Sequence, residues 1–367
     1  MNNNLMLTSL LAFLVALVVA FCMTPPVKLF ARKIGAIDVP KDNRRMHKVP
    51  IPRVGGLAIF LGFIVSVLIF TAMDAEKKAI LLGAVIIVVL GIIDDVVALQ
   101  PKVKFLGQIV AALVPVLGGV VINRFTNPFS GGYFDLGVLA IPVTIVWIVG
   151  ITNAVNFIDG LDGLACGVSS IASITMFTIA VLVSEVDIAI TMAALVGACF
   201  GFMPFNMNPA KIFMGDTGAM FLGYILATGS IQGLFKFYAI ISFAVPFIVL
   251  GLPIFDTAFA IVRRVAKGQS PLQADRGHLH HRLIDMGFDQ KQSVAILYAL
   301  SLVLGLAAVL LTTSGEAKII ILVFAIFISF MVALNVMRHE KQRREGGNAE
   351  ETQEEEGETK RGEDQGN

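Results

Sequence analysis

Charge is scarce in this chain. Of 367 residues only 15% are Asp, Glu, Lys or Arg, while 56% are hydrophobic. That balance lies well outside the soluble globular range, so a polytopic membrane protein is indicated. Cysteine is scarce too. Cys22, Cys166 and Cys199 fall in or beside apolar runs at no regular spacing, which argues against a disulfide framework or a cysteine metal site and for buried apolar thiols. With a net charge of +1, no nucleic-acid partner is expected. The first apolar run lacks the basic start and the small-residue cleavage site of a secretory signal, so it counts as a span.

What the sequence has in abundance is apolar runs near the length that crosses a bilayer. Eleven are read, at roughly 5–23, 54–73, 79–93, 105–122, 136–152, 164–183, 188–205, 217–234, 237–262, 294–311 and 319–336. The expected fold is therefore all-α, with about eleven transmembrane helices. Residues 1–337 form the membrane domain with its loops. Residues 338–367 form a disordered acidic tail, since 340–367 carries ten acids, five bases and no apolar run. The segments after odd-numbered spans hold sixteen Lys and Arg without the tail, against five in the other set. By the positive-inside rule the N-terminus is outside and the C-terminus cytoplasmic. All five histidines, and every polar cluster with chemical character, then share the cytoplasmic side.

Asp94 and Asp95 end the third run, IIVVLGIIDD. Two adjacent carboxylates at the membrane surface need cations or hydrogen bonds, and acids at a helix C-terminus oppose its dipole. NAVNFIDGLDGLA, 153–165, places Asn156, Asp159 and Asp162 at three-residue steps, with Gly160 and Gly163 each directly after an Asp. Glycines there favour a turn in which carboxylates and amides converge. FMGDTGAMFLG, 213–223, puts Asp216 at a helix entrance, with Phe213 either core or a platform for a flat base. The late loop, GQSPLQADRGHLHHRL, gathers Arg276, His278, His280 and His281 as a phosphate-binding cluster. Arg53 and Lys104 add positive charge near the acids and are candidate phosphate clamps. Asp256, the one buried acid of the ninth run, is read as structural or supporting the site. Carboxylates call for a divalent cation and the basic groups for phosphate. A nucleotide-activated donor meeting a lipid-borne acceptor answers both.

These motifs in series, with PRVGG at 52–56, resemble the polyprenyl-phosphate N-acetylhexosamine-1-phosphate transferases, glycosyltransferase family 4. The resemblance runs from about residue 25 to 285 and leaves out the tail. HLHHR at 278–282 resembles the N-acetylglucosamine branch; the muramoyl-pentapeptide branch carries three consecutive histidines there. The resemblance implies transfer of GlcNAc 1-phosphate from UDP-GlcNAc to undecaprenyl phosphate, with release of UMP and Mg²⁺ as cofactor (Mn²⁺ as a substitute). It implies a bacterial inner-membrane enzyme with a cytoplasmic site, starting wall teichoic acid, O-antigen or common-antigen chains, and it is compatible with a homodimer. Carried over by position, Asp216 with Asp95 would hold the metal. Asp94, Asp95, Asp159 and His278 would serve catalysis. Asn156, Asp162, Phe213, Lys104, Arg53, Arg276, His280 and His281 would contact substrate, Phe213 by stacking on uracil. Two other readings stay open: a sibling transferase using another UDP-sugar such as UDP-MurNAc-pentapeptide, and a membrane ion or solute transporter.

Overall fold

Small residues decide how the first helix packs. In the computed structural model of the chain, residues 3–40, 49–126, 133–233, 244–266, 268, 277–313 and a few positions between 320 and 331 are described. Helix α1, Asn3–Lys33, buries Ala12, Ala16 and Ala20 along one stripe. The stripe faces Gly197 and Gly201 of α7, Val186–Asn206, and Gly62 of α2, Gly56–Phe70. A Cβ on Gly197 would come 2.1 Å from the Phe13 carbonyl oxygen, and one on Gly201 would come 2.2 Å from that of Leu17. Backbones this close gain van der Waals contact that apolarity alone cannot supply in lipid. The opposite face of α1, with Leu7, Leu10, Leu14 and Val18, is exposed.

The remaining helices are α3, Ala75–Val97; α4, Pro101–Leu117; α5, Ala140–Ile158; α6, Leu164–Leu182; α8, Gly215–Gly233; α9, Ala244–Val249; α10, Gly251–Ala266; α11, Leu279–Asp285; and α12, Gln290–Thr312. Two antiparallel strand pairs lie between helices: β1, Ile37–Asp38, with β2, Ile51–Pro52, and β3, Arg124–Thr126, with β4, Tyr133–Asp135. Six helices among the described residues are long and apolar enough to cross a membrane. Of the other apolar runs, 54–73 and 105–122 carry the shorter helices α2 and α4, and 217–234 carries α8, which is as long as α6 but less apolar. The run 237–262 differs from a single span: within its described part the chain breaks at Leu250 between α9 and α10. The run 319–336 and the acidic tail lie largely or wholly outside the described residues.

Helix α8 is the axis of the bundle. It packs on α3 and α5, and almost all its residues are buried. Glycines bring its first turn against two neighbours: a Cβ on Gly56 would meet Gly218 Cα at 2.0 Å, and one on Gly91 would meet Thr217 Cα at 2.4 Å. Asp95 follows Gly91 by one helical turn, so the docking that glycine permits also delivers Asp95 to the start of α8. Toward the far end of α3, about 27 Å from Asp95 along the helix, the buried ammonium of Lys77 pairs with Asp187 at 3.0 Å and donates to Thr191 Oγ1 at 2.9 Å. The two ends of α3 thus carry different polar chemistry.

Candidate active site

Helix α8 begins without a side-chain cap of its own, and a neighbouring helix supplies one. Asp95 Oδ1 accepts the Asp216 N–H at 3.0 Å, and Oδ2 accepts the Thr217 N–H at 3.1 Å and its hydroxyl at 2.7 Å. These are N–H groups of the first turn, the ones a helix leaves unsatisfied. Arg53 Nε lies 3.8 Å from the same carboxylate. Val54, buried at φ +70°, occupies a region costly for a β-branched residue. The segment it belongs to is bonded to the start of α8: Phe213 N–H donates to the Pro52 carbonyl, and the Gly55 and Gly56 N–H groups donate to the Phe213 and Met214 carbonyls. Phe213 itself is half-buried.

Lys104 is the hub. Its Nζ lies 2.8 Å from Asp94 Oδ2 and 2.6 Å from Asp216 Oδ1, and it donates to Asn156 Oδ1 at 3.1 Å. Asn156 Nδ2 in turn donates to Asp216 Oδ1 at 2.6 Å. Four helices, α3, α4, α5 and α8, thus each contribute a side chain to one cluster. The unfavourable helix-end position of Asp94 is compensated by Lys104 and by the Leu99 N–H, which reaches Asp94 Oδ1 at 2.7 Å. Beneath the cluster, the buried Gln108 of α4 and Asn153 of α5 pair their amides, with Asn153 Nδ2 donating at 2.6 Å.

The turn expected at 159–163 is present, ending at Gly163 with φ +78°. Asp159 is half-buried at the end of α5. Burial and then Asp216 push its carboxyl up to about 8, with Asp95 and Asp162 adding and Arg53 opposing. Asp162, read as a substrate contact, has one carboxylate oxygen bonded within the fold. Its Oδ2 accepts the Asn208 amide and the Ala210 N–H, both at 3.0 Å, and so ties the turn to the loop before α8. Asn208 also donates to Gln290 Oε1 at 2.7 Å, and Tyr298 donates to the Gly163 carbonyl at 2.6 Å.

The histidine loop folds onto this turn. His278 is buried, with Nδ1 2.9 Å from Asp256 Oδ2. His280 is buried against Gly160, where a Cβ would come 2.2 Å from its Nε2. Burial, then His281, lowers His280 to about 4; Asp256 opposes this and His278 adds to it. His280, read as a substrate contact, is packed between helix ends, where that shift favours the uncharged ring. His281 packs beside it, ring centroids 4.2 Å apart. Arg276 lies outside the described residues.

An apolar cavity of about 550 Å³ runs between α5 and α10, lined among others by Val143, Trp147, Gly150, Ala154, Ile254 and Ala258. Ala154 precedes Asn156 on α5 by two residues, so the cavity and the polar cluster lie on opposite faces of one helix. Among the described residues no group of three or more His, Cys, Asp or Glu forms a ready-made metal cage. A magnesium site needs less, one or two carboxylates with the rest from phosphates and water. Asp216 and Asp94, both within 3 Å of one ammonium, are the two carboxylates that the cluster offers. Both oxygens of Asp95, read as sharing the metal with Asp216, accept hydrogen bonds from the first turn of α8.

The residues that sequence reasoning missed are Gln108 and Asn208, which are amides without a motif of their own; Asn153 opens the 153–165 motif but had no role assigned to it. Residues 78–234 match the model of glycosyl transferase family 4. The chain is 42% identical over 93% of its length to a Bacillus subtilis protein described as "Probable undecaprenyl-phosphate N-acetylglucosaminyl 1-phosphate transferase", covering 96% of that protein. It is 36% identical to a decaprenyl-phosphate N-acetylglucosaminephosphotransferase of Mycobacterium tuberculosis over 78% of each chain. Similarity to a phospho-N-acetylmuramoyl-pentapeptide-transferase of Desulfitobacterium hafniense is lower, 29% over 86% of this chain and 99% of that one. With the resemblance read from its motifs, this places the chain in glycosyl transferase family 4, as a multi-pass membrane polyprenyl-phosphate sugar-phosphate transferase.

Proposed function

We propose that the protein transfers GlcNAc 1-phosphate from UDP-GlcNAc to undecaprenyl phosphate, releasing UMP, at the cytoplasmic face of a bacterial inner membrane. The N-terminus then lies outside, and the product starts a surface polymer of the wall teichoic acid type. One observation carries this reading. Acids of α3 and α8 share the ammonium of Lys104, beside a helix whose other face lines an apolar cavity. A phosphate head and a prenyl chain ask for that pairing of charge and grease.

In the reaction an oxygen of the acceptor phosphate attacks the sugar-bearing phosphorus of the donor. A new P–O bond forms as the anhydride bond to UMP breaks. One phosphoric anhydride replaces another, so the step is close to thermoneutral and reversible. Catalysis then consists mostly of positioning and charge. Asp94 steers the acceptor phosphate or takes its proton. Lys104 and Arg53 bring positive charge to the phosphates, and Asn156 orients Asp216. Asp95 holds the first turn of α8 in place, which makes it a positioning residue. Asp216, with Asp94 beside it, would hold Mg²⁺. When bound there, the ion supplies charge to the diphosphate. The cavity between α5 and α10 receives the first prenyl units, and His278 faces the donor.

The test is UMP release by purified protein given Mg²⁺ and undecaprenyl phosphate, with UDP-GlcNAc set against UDP-MurNAc-pentapeptide. Release with UDP-GlcNAc alone is expected. Release with only the muramoyl donor would move the protein to the sibling branch.

A further inference from the structure

We propose that Asp256 is a positioning residue, which fixes the tautomer and the aim of His278; its catalytic consequence rests on the transfer reaction above. Asp256 lies on α10 and is only 3% exposed. Its two oxygens serve consecutive residues at the start of α11. Oδ2 lies 2.9 Å from His278 Nδ1, and Oδ1 accepts the Leu279 N–H at 2.8 Å. With Oδ2 accepting as Oδ1 does from the Leu279 N–H, the ring hydrogen is on Nδ1 and Nε2 is left to face a ligand.

The bond from Leu279 matters as much. It holds the backbone from which the imidazole hangs, so both the position and the rotation of the ring are set by one acid. The faces of the ring are also engaged. Phe157 lies on one neighbour position, centroids 5.9 Å apart, and His280 is stacked at 5.9 Å with planes 7° apart. His280 in turn abuts Gly160, the residue after Asp159. His278 is thereby registered to the turn that carries Asp159. Helix α10 also lines the apolar cavity through Ile254 and Ala258. One helix therefore borders the path assigned to the acceptor chain and aims the histidine. A buried carboxylate holding a histidine in its working tautomer is a known device of general acid–base sites. A merely structural Asp256 would need no histidine ring between it and the turn.

The test combines steady-state UMP release with spectra of ¹⁵N-histidine-labelled protein. Wild type, Asp256→Asn, His278→Ala and the double variant are compared. Expected for Asp256→Asn is a fall in kcat of about 100-fold, with KM for UDP-GlcNAc changed by less than about threefold. The double variant should be no slower than His278→Ala alone, because the acid acts through the ring. The wild-type His278 signal should report hydrogen on Nδ1. Asp256→Asn kcat within threefold of wild type, or losses that multiply in the double variant, would overturn the proposal. Should Asp256→Asn not fold, the wild-type spectrum still decides: hydrogen on Nε2 alone overturns the pairing. Absence of UMP release by wild type would overturn the reaction, while the spectrum continues to judge the pairing.

Discussion

Asp95 and Thr217 stand 122 residues apart on different helices, yet Thr217 gives Asp95 both its hydroxyl, at 2.7 Å, and its backbone N–H, at 3.1 Å. The carboxylate caps a helix it does not belong to. It thereby fixes where Asp216, the neighbour in that same turn, presents its own acid. Asp95→Asn keeps the shape but replaces one acceptor oxygen with a donor that faces N–H groups. The expected outcome is loss of about 1–3 kcal/mol of stability and near-complete loss of transfer. Thr217→Val removes only the hydroxyl and should cost about 1 kcal/mol, with partial activity. Thermal unfolding in detergent and UMP release measure the two effects.

Lys104 neutralises Asp94 and Asp216 together. Lys104→Met would leave two carboxylates near each other without their shared cation. Transfer should fall by more than about 100-fold. Lys104→Arg should restore little, since a planar guanidinium cannot replace a point charge reaching two acids and an amide. Initial rates over a range of UDP-GlcNAc concentrations check this.

Gly160 has room for no side chain on the His280 side. Gly160→Ala would drive a methyl into the ring, 2.2 Å from Nε2, and push the histidine loop off the turn. A kcat at least about tenfold lower is expected, with protein yield near wild type.

His280 gives the fold an acid sensitivity. Its folded value is lowered to about 4, below the ordinary 6.5, so the unfolded chain takes up a proton before the folded one does. Its contribution is fully present above about pH 6.5 and is lost as pH falls toward 4, by up to about 3 kcal/mol. Melting temperature should drop between pH 7 and pH 4.5, and His280→Gln should flatten that slope.

Gly150 lines the apolar cavity, and a Cβ there meets nothing within 4 Å. Gly150→Leu therefore fills space without a clash, and leucine also suits a helix better than glycine. KM for undecaprenyl phosphate should rise several-fold, with KM for UDP-GlcNAc unchanged. Equal effects on both substrates would mean that the cavity does not receive the acceptor.

Much of the site was legible because charge in so apolar a chain has few reasons to exist. Asp94, Asp216 and Lys104 stood out for that reason and Asn156 by its place in the 153–163 motif, and the structure brings all four together. The glycines of the 159–163 turn were legible from the backbone freedom they provide. What could not be read was pairing across helices. Nothing local in sequence links Asp95 to Thr217 or Asp162 to Asn208, so the hydrogen bonds that these acids accept within the fold could not be read. The break at Leu250 was hidden for another reason. Both sides of it are apolar, and hydropathy is blind to an interruption between apolar segments, although Pro246 and Pro253 flank it.

The measurement that bears most directly on the shared acid centre is UMP release by wild type and Asp216→Ala, side by side, across a Mg²⁺ titration with undecaprenyl phosphate and UDP-GlcNAc present. Wild type should release UMP in step with lipid-linked GlcNAc and saturate with Mg²⁺, while Asp216→Ala stays flat or needs far more metal. Identical Mg²⁺ curves for the two proteins, or no UMP from wild type at any concentration, would contradict it.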